Sequence, residues 1–234
     1  MRRSAILACA LFAGLQGRGA AVRPTLSNGV VSYLAEDGQR REIQVGKKCA
    51  DLWVSPDGGA FAFISIEKAQ PATANEAEPF IEESAIYIAR RADHFVPVHV
   101  VVRPVVDGRT WKVVRQPSLS PDLNTVYFSV PYTMTSWKLL SSSLSAGSYR
   151  ILDDADSYCV VWGGEHSGQL LMQKRHEADP NGPSGVTYPC YLRSKSGVLA
   201  KVANEDQCRS FSEFATQWSR DRGATCHPAD LGTK

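Results

Sequence analysis

No two of the six cysteines are spaced Cys-x-x-Cys, which argues against a zinc ribbon or a thioredoxin-like redox pair. No Gly-x-Ser-x-Gly elbow occurs, so nothing marks an activated serine of the α/β-hydrolase kind. The serines at Ser141, Ser142, Ser143 and Ser145 have no base close to them in sequence. No segment after the N-terminal region approaches the run of about 20 apolar residues that a membrane-spanning helix needs. There is no basic stripe of the kind that follows a nucleic-acid backbone, and no polybasic cluster for anionic lipid. These absences leave a globular chain whose 43% hydrophobic content supplies a real core.

What is present begins at the N-terminus. Arg2 and Arg3 precede a compact apolar stretch from Ile6 to Leu15, and Gly19-Ala20-Ala21 then supplies small residues. That three-part form predicts a secretory signal peptide over residues 1–21 and a periplasmic or secreted mature chain over 22–234. The segment holds three of the 26 Lys and Arg and none of the 24 Asp and Glu, so without it the net charge falls from +2 to −1. Five cysteines remain, Cys49, Cys159, Cys190, Cys208 and Cys226, an odd number in an exported chain. A straight helix over 205–221 would hold Cys208 and Cys226 about 27 Å apart, while a disulfide needs Cα atoms within about 7 Å. Cys190 with Cys208 is therefore the expected pair, and Cys159, in an apolar run, is expected to be a buried free thiol.

The body reads as short strands divided by turn chemistry. Strands are expected at 30–34, 41–45, 51–55, 60–66, 85–90, 95–102, 111–115, 125–130, 137–141, 148–152, 157–162, 169–174, 188–193 and 197–202. Residues 68–83 and 176–187 are rich in Ala, Pro, Gly and acids, and read as long surface loops. From Asn204 to Arg222 the period changes: Phe211, Phe214, Ala215 and Trp218 fall at helical spacing, with Asn204 as N-cap and Gly223 as stop.

Two segments match 65 positions apart. Trp53-Val54-Ser55-Pro56-Asp57-Gly58-Gly59-Ala60-Phe61-Ala62-Phe63 is echoed by Ser118-Leu119-Ser120-Pro121-Asp122-Leu123-Asn124-Thr125-Val126-Tyr127-Phe128. Pro presets φ, Asp bonds the backbone two residues on, and Gly58-Gly59 or Asn124 suits positive φ. A Ser-Pro-Asp turn before an aromatic-rich strand resembles the WD-like repeat of TolB-type β-propellers. The resemblance implies an all-β, propeller-like fold of about three and a half four-stranded blades, open or incomplete, with a short C-terminal helix. Residues 30–45 stand as an outer hairpin lacking its inner pair, and Trp162-Gly163-Gly164 replaces the Ser-Pro-Asp turn. A β-sandwich is the alternative.

The resemblance points to noncovalent binding of a protein or peptide partner, with an inhibitor or immunity-type protein as one specific form. The expected contact residues are Phe80 in the first inserted segment and the exposed aromatics Tyr132 and Trp137 near a third loop. A periplasmic hydrolase or lyase acting on glycan or peptide is the alternative class, and a structural part of an envelope assembly docked by the C-terminal helix is the third. No catalytic residue, cofactor or metal is assigned. His94 and His99, five apart, fall on opposite strand faces. His166 and His176 with Glu165, Glu177 and Asp179 read as solvated loops, and Asp153-Asp154-Ala155-Asp156 lacks the Gly and Glu of an EF-hand and reads as a turn.

Overall fold

The computed structural model describes residues 23–35, 37–70, 80–100, 103–133, 136–177 and 185–228. The proposed signal segment, the middle of both inserted segments and Asp179 lie outside the described residues. Within them the chain forms successive antiparallel sheets. The first has three strands, β1 (Thr25–Ser27), β2 (Val30–Leu34) and β3 (Arg40–Ile43). The second has four, β4 (Lys48–Val54), β5 (Ala60–Gln70), β6 (Phe80–Arg90) and β7 (Val98–Val100). After a small hairpin of β8 (Val105–Val106) and β9 (Arg109–Thr110) comes a four-stranded sheet of β10 (Arg115–Leu119), β11 (Thr125–Thr133), β12 (Ser136–Ser143) and β13 (Tyr149–Asp154). The last sheet joins β14 (Ser157–Val160) and β15 (Leu170–Gln173) to β18 (Cys190–Arg193) and β19 (Leu199–Ala203). A ribbon of β16 (His176–Glu177) and β17 (Val186–Thr187) is inserted between β15 and β18.

The sheets stack face to face, and this explains the unbroken apolar run of β5. Ala60, Ala62 and Ile64 pack with Ile86, Ile88, Leu119, Val126, Phe128 and Leu140 of the second and third sheets. The alternating Phe61 and Phe63 pack on the other side with Val31, Tyr33 and Ile43 of the first. A strand buried on both faces has no reason to alternate apolar with polar residues. Each sheet with four strands is a meander running outward from an inner strand, which is the plan of a propeller blade.

The two Ser-Pro-Asp turns are the same turn. Ser55 Oγ donates to Asp57 Oδ1 (2.6 Å), Gly59 N donates to the same oxygen (2.9 Å), and Ala60 N donates to Ser55 Oγ (2.9 Å). Ser120, Asp122, Asn124 and Thr125 repeat each bond at 2.5, 3.1 and 3.0 Å. The positive φ falls at Gly58 (65°) and at Leu123 (58°), not at Asn124 as the composition of the turn predicts. Leu123 adopts a conformation that is costly for a side chain, and its packing against the core offsets that cost.

Among the described residues the first sheet lacks one strand of a four-stranded blade, not an inner pair. Cys49 N donates to Gly29 O (2.6 Å), so the β1–β2 turn lies beside the start of β4, at the end away from the Ser55 turn. β1 therefore runs as the second strand of a blade does, and β2 and β3 as the third and fourth. The outward face of this sheet is polar near β1, where Ser32 bonds Thr25 and Arg40.

At the other end, the expected single helix is two: α1 (Glu205–Cys208) and α2 (Phe211–Arg220). Asn204 N donates to Gln207 Oε1 (3.1 Å) at the start, and Ser210, in extended conformation, breaks the run. α2 lays Phe211, Ala215 and Trp218 on Cys159, Val161, Leu171 and Leu192 of the last sheet. Beyond it, Thr225 and Trp162 exchange backbone hydrogen bonds at 2.8 Å each way. Cys190 is bonded to Cys208. Cys159 is not a free thiol: it is bonded to Cys226, because the turn at Gly223 (φ 61°) reverses the chain onto β14. Among the described residues the free thiol is the buried Cys49, whose pKa is raised by burial.

Two predictions follow from these turns and bridges. Opening the 67-residue Cys159–Cys226 loop by Cys226→Ser should cost about 4 kcal/mol, and opening the 18-residue Cys190–Cys208 loop by Cys208→Ser about 3 kcal/mol, read as urea midpoints without reductant. Burial pushes Asp57 upward, yet the Ser55 hydroxyl and Gly59 amide outweigh it and hold the carboxyl below its usual range. Asp122 is lowered by the Ser120 hydroxyl and then the Asn124 amide. A lowered folded pKa gives stability that is present above the unfolded value of about 3.9 and is lost as pH falls through the folded value. The double variant Asp57→Asn, Asp122→Asn should therefore show a flatter loss of urea midpoint below about pH 4 than the parent.

Candidate functional site

The longest feature of the molecule is the β5–β6 hairpin. β4 last pairs β5 at Lys48–Ile66, and β7 last pairs β6 at Val100–Ile86, but β5 and β6 continue together to Gln70 and Phe80. Much of the stretch expected as a loop over 68–83 is thus a two-stranded ribbon projecting past its own sheet. Polar side chains bridge its two strands. Lys68 Nζ lies 2.5 Å from Glu82 Oε2, and Gln70 Nε2 donates to Glu82 Oε1 (2.5 Å). Lys68 and Gln70 hold the Glu82 carboxyl below its usual range, and Glu82 in turn raises Lys68. The base is clamped from below. Buried Ser84 donates through Oγ to Val114 O and accepts from Val114 N, both at 2.8 Å, while Ser84 N donates to Lys112 O (2.9 Å).

A cavity of about 350 Å³ opens at this base, among Glu67, Glu83, Tyr87, His99 and Arg103. His99 stacks on Tyr87 at 5.2 Å, and Tyr87 on Phe63 at 5.7 Å, so aromatic faces line one wall. Arg103 lies 3.5 Å from Glu83. Burial raises the Tyr87 phenol, with Glu67 adding to the shift. The Glu83 carboxylate is paired with Arg103, and the imidazole is held in a stack. The arrangement suits holding a polar group and gives no aligned donor–acceptor relay.

Tyr132 lies near the end of β11 and Trp137 near the start of β12, and both are half-buried rather than exposed on a loop. Tyr132 donates to Asp107 Oδ2 (2.5 Å), which raises its pKa, and Lys138 Nζ sits 4.3 Å above its ring. Phe80 opens β6, and its side chain lies outside the described residues.

Asp153 and Asp154 of the 153–156 segment are engaged with lysines. Asp153 meets Lys174, and Asp154 Oδ1 lies 2.6 Å from Lys138 Nζ. His166 Nε2 is 3.0 Å from Glu165 and its ring lies tilted against Trp218 at 5.5 Å, while His176 belongs to β16. Among the described residues no three His, Cys, Asp or Glu side chains gather as a metal site would require. Ser-x-x-Lys, the pattern of serine acyltransfer, is not absent as expected: Ser65-x-x-Lys68 has its spacing. Ser65 is buried and donates to Val45 O (2.9 Å), and Lys68 faces Glu82, so the pair is structural.

The chain is similar to the tricorn protease, with a TM-score of 0.50 at 9% identity over 79% of this chain and 16% of that one. The fold is all-β, open and propeller-like. It also matches TolB from Acinetobacter baumannii (TM-score 0.49, 14% identity, 77% of this chain and 40% of that one). A third match is the β-propeller domain of the trilobed protease from Pyrococcus furiosus (TM-score 0.46, 13% identity, 79% and 53%). The chain spans about half or less of each of these proteins. No family model matches the chain, and no curated protein does.

Proposed function

We propose that this is an exported protein that binds a protein or peptide partner noncovalently, using its propeller-like stack as a rigid platform and the β5–β6 ribbon as the arm that reaches the partner. The observation that carries the reading is the ribbon itself. Rigid scaffolds commonly present binding residues on projecting segments, and an 11-residue pair of strands clamped at Ser84 is such a presentation. Phe80 stands at the ribbon's described end, and Tyr132 and Trp137 flank a hairpin of the neighbouring sheet. Aromatic side chains of this kind are frequent anchors of interfaces. The two disulfides suit an oxidising compartment. An inhibitor or immunity-type role, blocking an enzyme by covering its site, is the specific form that such an arm serves.

The test is capture from an envelope extract by residues 22–234, with mass spectrometry of what is retained. A single stoichiometric partner is expected, and deletion of 70–80 should abolish its capture while leaving the urea midpoint unchanged. Undiminished capture by the deletion variant would remove the ribbon from the binding surface.

A further inference from the structure

The charges around the cavity at the ribbon's base do not balance. Glu67, Glu83 and Arg103 are its charged lining residues. Arg103 stands 3.5 Å from Glu83. No cation among the described residues pairs with Glu67. Of the nearby lysines, Lys68 is paired with Glu82, and Lys47 also acts on Glu82. With His99 neutral, two carboxylates and one guanidinium leave the lining net negative.

Glu67 is also held in place. It sits at a register shift between Ile66 and Lys68. A Cβ built on Gly46, where φ is 61°, would lie 3.0 Å from Glu67 Oε1, so the carboxylate rests against bare backbone. Another wall is aromatic. Phe63, Tyr87 and His99 stack in a row across β5, β6 and β7, at 5.7 and 5.2 Å. Tyr87 is covered on both sides, and the row ends on the exposed His99, whose ring lines the cavity. The remaining lining is apolar, from Ile86, Val100 and Val114, and Ser84 spends its hydroxyl on Val114.

An unpaired carboxylate and the end of an aromatic stack are what a guanidinium uses, the first for its N–H fork and the second for its flat face. An inorganic cation is not served, since no three ligating side chains gather among the described residues. An anion would meet only Arg103, which already faces Glu83. The volume of about 350 Å³ lies at the small end of ligand pockets, with room for one long side chain. We propose that this cavity seats an arginine side chain of the partner, its guanidinium lying on the His99 ring and donating to Glu67, its methylenes over Ile86 and Val100. The proposal rests on the binding reading above and gives it a specificity: the ribbon supplies reach, and the cavity at its foot selects a basic residue.

The probe is Nα-acetyl-arginine amide, titrated into the ¹⁵N-labelled chain over 22–234, with Nα-acetyl-citrulline amide as its neutral match in shape. Arginine amide should shift the backbone amides of 66–67, 85–87 and 99–100, and citrulline amide should bind at least about fivefold more weakly. Glu67→Gln and His99→Ala should each weaken the arginine probe by about fivefold. Glu42→Gln, which alters a carboxylate 63% exposed on the first sheet, should leave it unchanged. Equal binding of citrulline amide, or equal binding of arginine amide by Glu67→Gln, would overturn the proposal, as would shifts of these amides by inorganic phosphate in place of arginine. Capture of the envelope partner by the Glu67→Gln, His99→Ala double variant is read in parallel. Reduced capture is expected, and undiminished capture would detach the cavity from the partner. A parent chain that captures nothing would sink the platform reading, and the arginine titration still decides the cavity.

Discussion

One buried ion pair joins the blades. Asp51 is wholly buried at a bulge of β4, and it receives Arg115 Nε at 2.5 Å, Arg115 Nη2 at 2.8 Å and Gln116 N at 2.9 Å from the start of β10. A carboxylate taken out of water is costly unless its acceptor sites are filled, and here three donors from the neighbouring blade fill them. Its backbone is also constrained, with φ of 48° at Asp51 and 53° at Gln116. These residues stand 65 positions apart, the same offset as the two Ser-Pro-Asp turns, and each lies in a register shift of its inner strand. The third inner strand joins the seam through the fully buried Tyr158, whose hydroxyl donates to Gln116 O. Nearer the turns, Trp53 meets Trp162 at 5.7 Å, and Trp162 Nε1 donates to Leu119 O (3.2 Å). Blades two, three and four are thus linked at their inner edges by polar contacts that only the stacked arrangement satisfies.

An incomplete ring must also finish its two ends. The last sheet ends under α2, whose aromatic stripe replaces the face a further blade would supply, and two disulfides hold it there. The first sheet ends differently, with hydrogen-bonded Thr25, Ser32 and Arg40 on its outward face. These endings flank one three-stranded and three four-stranded sheets among the described residues.

What could be read in the sequence follows from how local its causes are. The Ser-Pro-Asp turns were legible because Pro, Asp and Ser act within five residues, and strands such as β5 because both faces are apolar. The bulges at Asp51 and Gln116 were not, since a charged and an amide residue at matching offsets signal nothing until Arg115 is seen beside them. The Cys159–Cys226 bridge was hidden because Cys159 lies in an apolar run and reads as a buried free thiol; the reversal at Gly223 that brings Cys226 to it is a tertiary feature. The ribbon was taken for a loop because its composition is that of a solvated surface, and cross-strand pairs such as Lys68–Glu82 show only after pairing is known. The cavity at the ribbon's base depends on Glu67, His99 and Val114 meeting, which no single segment encodes.

The most direct test of the seam is a double-mutant cycle on its central pair. Asp51→Asn and Arg115→Met each leave one buried partner uncompensated, and each should cost about 3 kcal/mol in urea unfolding. The double variant should lose about 2 kcal/mol less than the two single losses together, with one cooperative transition throughout. Losses that simply add, or a single variant in which one blade unfolds ahead of the rest with no loss in the others, would contradict the claim that this pair binds the blades into one unit.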